Sequence, residues 1–163
     1  MKIAIPLLLF IPFFGIAQKP YVDLTAISFN YSHADTYFGG SLAAGYKTDQ
    51  IIGVGAGIAI TNFKGSNALY LPMFGEFCFY SDRSVIRPYG VARVGYGYFN
   101  QPYFGYKTKG GLYYSPGVGI LFPVKTKFDI SILGSFVSSD FSNTLTKTTS
   151  TSRGWTVELG VKF

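Results

Sequence analysis

Reactive and metal-binding side chains are scarce in this sequence of 163 residues. It contains one cysteine, one histidine and one tryptophan, and charged residues make up only 13% of it. Because a disulfide needs two thiols, Cys78 cannot form an intramolecular one. No cluster of histidine, cysteine and aspartate has the spacing of a metal site, and no glycine-rich phosphate-binding motif is present. We therefore expect neither a metal nor another cofactor.

A concentrated basic patch is also missing. The formal charge is +6 at pH 7, but the lysines and arginines are scattered along the chain. Nucleic-acid-binding domains gather their basic residues on one face or along one helix. We therefore expect no nucleic-acid partner.

Long apolar runs are absent after residue 17, so no segment there reaches the ~20 apolar residues of a transmembrane helix. The first residues differ, because Lys2 is followed by an apolar run over residues 3–16. Gly15 and Ala17 are small residues at the two positions that signal peptidase reads. We predict a signal peptide over residues 1–17, cleaved before Gln18, and hence export of the protein.

Aromatic residues and glycines are abundant, at 18% of the chain and 20 residues respectively. Their arrangement is clearest at the C-terminus, where large apolar residues alternate with polar or small ones: Trp155, Val157, Leu159, Val161 and Phe163. A period of two places these five side chains on one face of a β-strand. The pattern predicts a strand with one apolar face.

Nearly all of the seven earlier segments repeat this alternation. The eight predicted strands lie near residues 22–31, 36–47, 51–63, 68–80, 86–99, 111–123, 128–140 and 154–163. Tilted membrane strands need about ten residues. Tight polar turns are predicted at 46–50, 81–84 and 124–127, and longer loops at 32–35, 64–67, 100–110 and 141–153. The pattern predicts an all-β domain over residues 18–163: an eight-stranded antiparallel up-and-down transmembrane β-barrel, with both termini on the side of the turns.

The interior of such a barrel has room only for its own side chains or one small ligand. The few charged residues on inward positions are Glu76, Arg93 and Glu158, with Asp129 and Lys162 as further candidates. Unpaired charges are costly in a low-dielectric lumen, so we predict an interior polar cluster of Glu76, Arg93 and Glu158. We interpret it as a structural plug, with a gated pore as the alternative.

The segment from residue 21 to 31 fits neither phase of the alternation. We therefore predict a β-bulge in the first strand, or a later start for it.

Three features of the sequence resemble those of a known group of proteins. They are the signal that ends Gly15-Ile16-Ala17 before Gln18, the segment Arg87-Pro88-Tyr89-Gly90-Val91-Ala92-Arg93-Val94-Gly95-Tyr96-Gly97, and the last strand ending in phenylalanine. With these features the chain resembles the small outer-membrane β-barrel proteins of Gram-negative bacteria, of the OmpX and OmpA-barrel type. It looks most like the outer-membrane β-barrel domain proteins of Bacteroidetes.

The resemblance implies a non-enzymatic, monomeric barrel in the outer membrane, in contact with lipid and lipopolysaccharide. Its role would be membrane integrity, or adhesion through extracellular loops that bind a ligand. The alternating residues from Trp155 to Phe163 resemble the signal that the barrel-assembly machinery reads in that family.

Some small barrels of the outer membrane modify lipid A, and this is an alternative function. His33 has Ser32 and Asp35 beside it in the first predicted outer loop, and these residue types can carry out acyl transfer. The patterns of the known lipid A acyltransferases and deacylases are absent, however, so we interpret His33 as an ordinary loop residue. Two further alternatives are a narrow channel and a soluble, lipocalin-like barrel that holds a small apolar ligand.

Overall fold

The computed structural model describes residues 18–31, 36–48, 51–63, 68–81, 85–100, 108–125, 127–143 and 149–163. The predicted signal peptide over residues 1–17 and the segment 32–35, which contains His33, lie outside the described residues. No helix in the described ranges is long and apolar enough to cross a bilayer.

Eight long strands form one closed antiparallel sheet in this part of the chain. They are β1 (Gln18–Tyr31), β2 (Thr36–Thr48), β3 (Ile52–Phe63), β4 (Ala68–Tyr80), β5 (Arg87–Asn100), β6 (Gly111–Lys125), β7 (Phe128–Asn143) and β8 (Thr149–Lys162). Each strand pairs with the next, and β8 also pairs with β1, which closes the barrel. Before Gly110, the short segment Thr108–Lys109 pairs with Asn143 and Ser142 of β7, next to the start of β6. The predicted eight-stranded up-and-down barrel is confirmed.

Backbone hydrogen bonds reach the very end of the closing strand. The Phe163 amide donates to the Val22 carbonyl at 2.8 Å, and the Val22 amide donates to the Phe163 carbonyl at 3.2 Å. The terminal phenylalanine is therefore part of the seam that joins β8 to β1.

The predicted difference in length between turns and loops is only partly correct. Strands β7 and β8 run far into the segment 141–153, which was expected to be a loop, and pair as far as Ser142 with Thr149. The prediction was wrong there because serine and threonine suit an exposed strand as well as a loop. The turn between β4 and β5 covers residues 81–86, so it is longer than the connections 32–35 and 64–67.

The first strand is regular, so the predicted bulge or late start is wrong. Its pairing with β2 runs without a shift from Gln18 to Asn30, and its pairing with β8 is equally continuous. The buried residues Tyr21 and Ile27 face the lumen, while Val22 and Leu24 face outward. Apolar side chains on both faces hide the alternation in the sequence.

Every strand carries large apolar side chains on its outer surface. On β8, Trp155 is 66% exposed, Leu159 58% and Phe163 60%. Other strands also expose large apolar residues, among them Ile58, Met73, Phe77, Val94 and Ile132. A continuous apolar exterior would be unstable in water and matches a surface in contact with hydrocarbon.

The lumen is filled by side chains, and its glycines make room for rings. A Cβ on Gly57 would lie 2.8 Å from the ring of Phe74, and one on Gly119 would lie 2.6 Å from the ring of Tyr89. Both approaches are shorter than real Cβ contacts, so any larger residue would displace the ring. Four tyrosines are buried in the interior: Tyr70, Tyr80, Tyr89 and Tyr113.

Arginine substitutions on β3 test whether the outer surface faces hydrocarbon. Ile58 lies midway along the strand and Ile52 at its turn end, and both side chains point outward. Ile58→Arg should lower the free energy of unfolding by about 2–4 kcal/mol, and Ile52→Arg by at most about 1 kcal/mol, because the penalty depends on depth in the bilayer. Urea titration in phospholipid vesicles, followed by the fluorescence of Trp155, measures both. Equal small losses would show that this surface does not contact hydrocarbon.

Candidate functional site

Arg93 lies at the centre of the lumen and is 3% exposed. The register of the β4–β5 hairpin places it directly opposite Glu76. Its Nε donates to the Glu76 Oε2 at 3.0 Å. Directly opposed residues on one face of two paired strands have their side chains close together. The pairing of β4 with β5 is therefore sufficient to bring Glu76 and Arg93 into contact.

Glu158 reaches the same guanidinium from β8, three strands away around the barrel. Arg93 Nη1 donates to Oε1 at 2.7 Å and to Oε2 at 2.9 Å. The structure thus brings together all three residues of the predicted polar cluster, and we call Glu76, Arg93 and Glu158 the central cluster. It links β4, β5 and β8 through the interior.

Neighbouring groups complete the hydrogen bonding of the central cluster. The Tyr21 hydroxyl donates to Glu76 Oε1 at 2.9 Å. The Arg93 guanidinium carbon lies 5.0 Å from the centre of the Phe74 ring, within the range of a cation–π interaction. Ser135 contacts both Thr156 and Glu158. A buried polar network of this kind is stabilising only when its members are satisfied.

A second ion pair lies between the central cluster and the turn end, which is the end of the barrel that carries residues 49–51, 81–86 and 126–127. Lys162 Nζ lies 3.1 Å from Asp23 Oδ2 and donates to the Tyr80 hydroxyl at 2.8 Å. Tyr80 is on β4, opposite β8 in the barrel. Asp23 and Tyr21 were not predicted as interior residues, because the sequence does not show which residues of the first strand point inward.

Aromatic rings close the lumen at its other end, the loop end, where residues 32–35, 64–67, 101–107 and 144–148 connect the strands. The ring centres of Phe99 and Phe141 are 5.1 Å apart, and those of Tyr70 and Phe141 are 5.6 Å apart. Phe74 and Tyr113 continue this packing toward the central cluster at 5.9 Å. We call these five residues the loop-end ring layer.

The chemistry of the lumen is that of a packed polar core. Within the described residues, no group of three or more His, Cys, Asp or Glu side chains could hold a metal ion. Cys78 is buried. The central cluster has ion pairs and hydrogen bonds, and its carboxylates already bind Arg93. This arrangement joins β4, β5 and β8 across the lumen.

The residues predicted to act as an assembly signal lie on the outer surface of β8. Trp155 packs edge-to-face on Phe136 with ring centres 5.3 Å apart, and Phe163 lies 6.3 Å from Phe128. Both partners belong to β7. The aromatic ends of β8 therefore rest on its neighbour while keeping most of their surface exposed.

Removing the guanidinium tests how the central cluster holds the barrel together. Arg93→Met leaves Glu76 and Glu158 buried without a cation, which should lower the free energy of unfolding by about 3–5 kcal/mol. The matched control is Arg87→Met, because Arg87 pairs with Asp129 at 3.7 Å in a partly exposed position; it should cost about 0–1 kcal/mol. Urea unfolding in detergent micelles measures both.

A triple variant separates charge from packing in the same experiment. Glu76→Gln and Glu158→Gln, combined with Arg93→Met, should recover much of the stability lost in Arg93→Met. Equal costs for Arg93→Met and Arg87→Met would contradict the buried-charge interpretation.

Solved structures of other barrels share this fold at low sequence identity. Neisserial surface protein A has a TM-score of 0.69 and 13% identity, over 89% of this chain and 95% of that one. The outer membrane protein OprG from Pseudomonas aeruginosa has a TM-score of 0.57 and 12% identity, over 88% and 95%. The N-terminal β-barrel domain of OprF from the same species has a TM-score of 0.52 and 18% identity, over 88% and 96%.

No protein-family model matches the sequence, and no curated protein matches it. At identities this low the similarity shows the fold alone. The chain has the architecture of the small eight-stranded transmembrane β-barrels.

Proposed function

We propose that this protein is a non-enzymatic outer-membrane β-barrel with a closed lumen, which acts in membrane integrity or in adhesion through its extracellular loops. The observation that carries the proposal is the combination of an apolar exterior with an interior crossed by buried ion pairs and packed rings. A barrel of this kind spans a bilayer without transporting anything through it.

The exterior supports a membrane location over the soluble, lipocalin-like alternative. A soluble barrel has polar side chains on its outer face, whereas Phe77, Val94 and Leu159 are each about half exposed on three different strands of this one. Lipid, including lipopolysaccharide in the outer leaflet, is the partner that such a surface requires. Export through a cleaved signal peptide over residues 1–17 is part of the proposal.

The interior supports a closed barrel over a narrow channel. The central cluster spans the lumen, and the loop-end ring layer packs on one side of it. On the other side Lys162 joins Asp23 and Tyr80 across the barrel. Ions passing through would have to break these contacts, and the cost of leaving buried charges unpaired opposes that.

Biogenesis is the second part of the proposal. The outward residues of β8, from Trp155 to Phe163, would be recognised by the barrel-assembly machinery, and the paired backbone of Phe163 would then complete the seam with β1. These side chains point outward and take no part in the packing of the lumen.

Conductance in planar bilayers tests the closed lumen. We expect wild-type protein to give no steady single-channel currents, and Arg87→Ala, which changes only the turn end, to behave in the same way. Steady wild-type currents that disappear in Arg93→Ala would overturn the closed lumen and favour a channel controlled by the central cluster.

The assembly signal is tested by comparing two phenylalanines that contact each other. Phe163→Ala should reduce the folded protein in outer-membrane fractions to a minor part of the wild-type level, whereas Phe128→Ala removes the same ring contact and should have little effect. Heat-dependent migration in SDS gels measures the folded fraction. Both variants should refold in detergent, which separates recognition from stability. Normal assembly of Phe163→Ala in cells would contradict the assignment.

A further inference from the structure

Four cationic residues lie at the turn end of the barrel; Lys162 is buried, Lys47 and Arg87 are partly buried, and Lys19 is exposed. Lys19 on β1, Lys47 on β2, Arg87 on β5 and Lys162 on β8 all occupy the inward positions of their strands. Only two carboxylates of the described residues, Asp23 and Asp129, occupy inward positions beside them. The mouth at this end, defined by these six residues, therefore carries an excess of two positive charges.

Both carboxylates of the mouth are already paired. Asp23 binds Lys162 at 3.1 Å, and Asp129 binds Arg87 at 3.7 Å. Lys19 and Lys47 take part in none of the ion pairs formed by the described residues. The excess charge of the mouth is therefore located on these two lysines.

The β1–β2 register places Lys19 directly opposite Lys47. Like charges at opposed positions on one face of a sheet repel each other and destabilise the pair. Lys47 is partly buried, and its Nζ lies 3.9 Å from the centre of the Tyr80 ring. Partial burial weakens the screening of its charge by salt. An anion between the two ammonium groups would turn the repulsion into attraction.

We propose that the turn-end mouth binds a phosphate group, with Lys19 and Lys47 as its principal ligands. A phosphate offers several acceptor oxygens and up to two negative charges, which match two ammonium groups with three donors each. The phosphate is either free in solution or part of the headgroup of an anionic lipid. The site does not depend on the closed lumen or on the location of the protein.

Phosphate titration of the whole refolded barrel tests the site. Dodecyl maltoside micelles are suitable because this detergent contains no phosphate. Inorganic phosphate replaces chloride at constant ionic strength, and amide NMR shifts of Lys19 and Lys47 report binding. We expect saturable shifts at the turn end. K47Q should bind about tenfold more weakly, as expected for the loss of a charge-assisted hydrogen bond.

The matched control is R153Q, because Arg153 is an exposed residue of β8 near the loop end. It removes the same charge at the opposite end and should leave the affinity unchanged. A second titration with short-chain phosphatidylglycerol in the same micelles identifies the source of the phosphate. Saturation by this lipid alone assigns the site to a headgroup, and saturation by both ligands assigns it to phosphate from either source.

Two results would overturn the proposal. One is the absence of saturable shifts with either ligand at constant ionic strength. The other is equal affinity of K47Q and R153Q for phosphate. That result would show that phosphate only screens the positive charge of the protein and has no specific site.

Discussion

The pairing of the first strand with the last determines whether each residue of the barrel faces the lumen or the exterior. Because β8 closes on β1, the sheet has no free edge, and its backbone groups bind one another as a bilayer requires. Eight strands also fix the width of the lumen, which has room for side chains and little else. Each strand therefore contributes half of its residues to a packed interior and half to an apolar exterior.

A buried guanidinium in so narrow a space needs partners from more than one strand. Arg93 obtains one carboxylate from its hairpin neighbour and another from β8. Buried ion pairs often add little net stability compared with apolar packing. Their main effect is then on which strand register the chain adopts. A one-residue slip of β8 would turn Glu158 outward and leave Arg93 with Glu76 alone. We infer that the central cluster fixes the register of strands that are distant in sequence.

Local features of the barrel could be predicted from the sequence. The period of two predicted the apolar face of β8, and the few inward charges predicted the contact of Glu76 with Arg93. The prediction failed on β1, because Tyr21 and Ile27 are apolar residues that fill the lumen. Without the phase of β1, the pair of Asp23 and Lys162 could not be found, since it forms only when the barrel closes. The extent of β7 and β8 was also missed, because hydroxyl-rich sequence does not distinguish an exposed hairpin from a loop.

The filled centre gives the two ends of the barrel separate chemistry. A molecule that approaches the loop end meets the loop-end ring layer, whereas one that approaches the turn end meets lysines and arginine. The central cluster and the rings around it lie between these ends, so packed side chains separate the two mouths. In the function proposed above, such a barrel acts at its ends and on its outer surface. The ion pairs and packed rings of its interior hold the strands together.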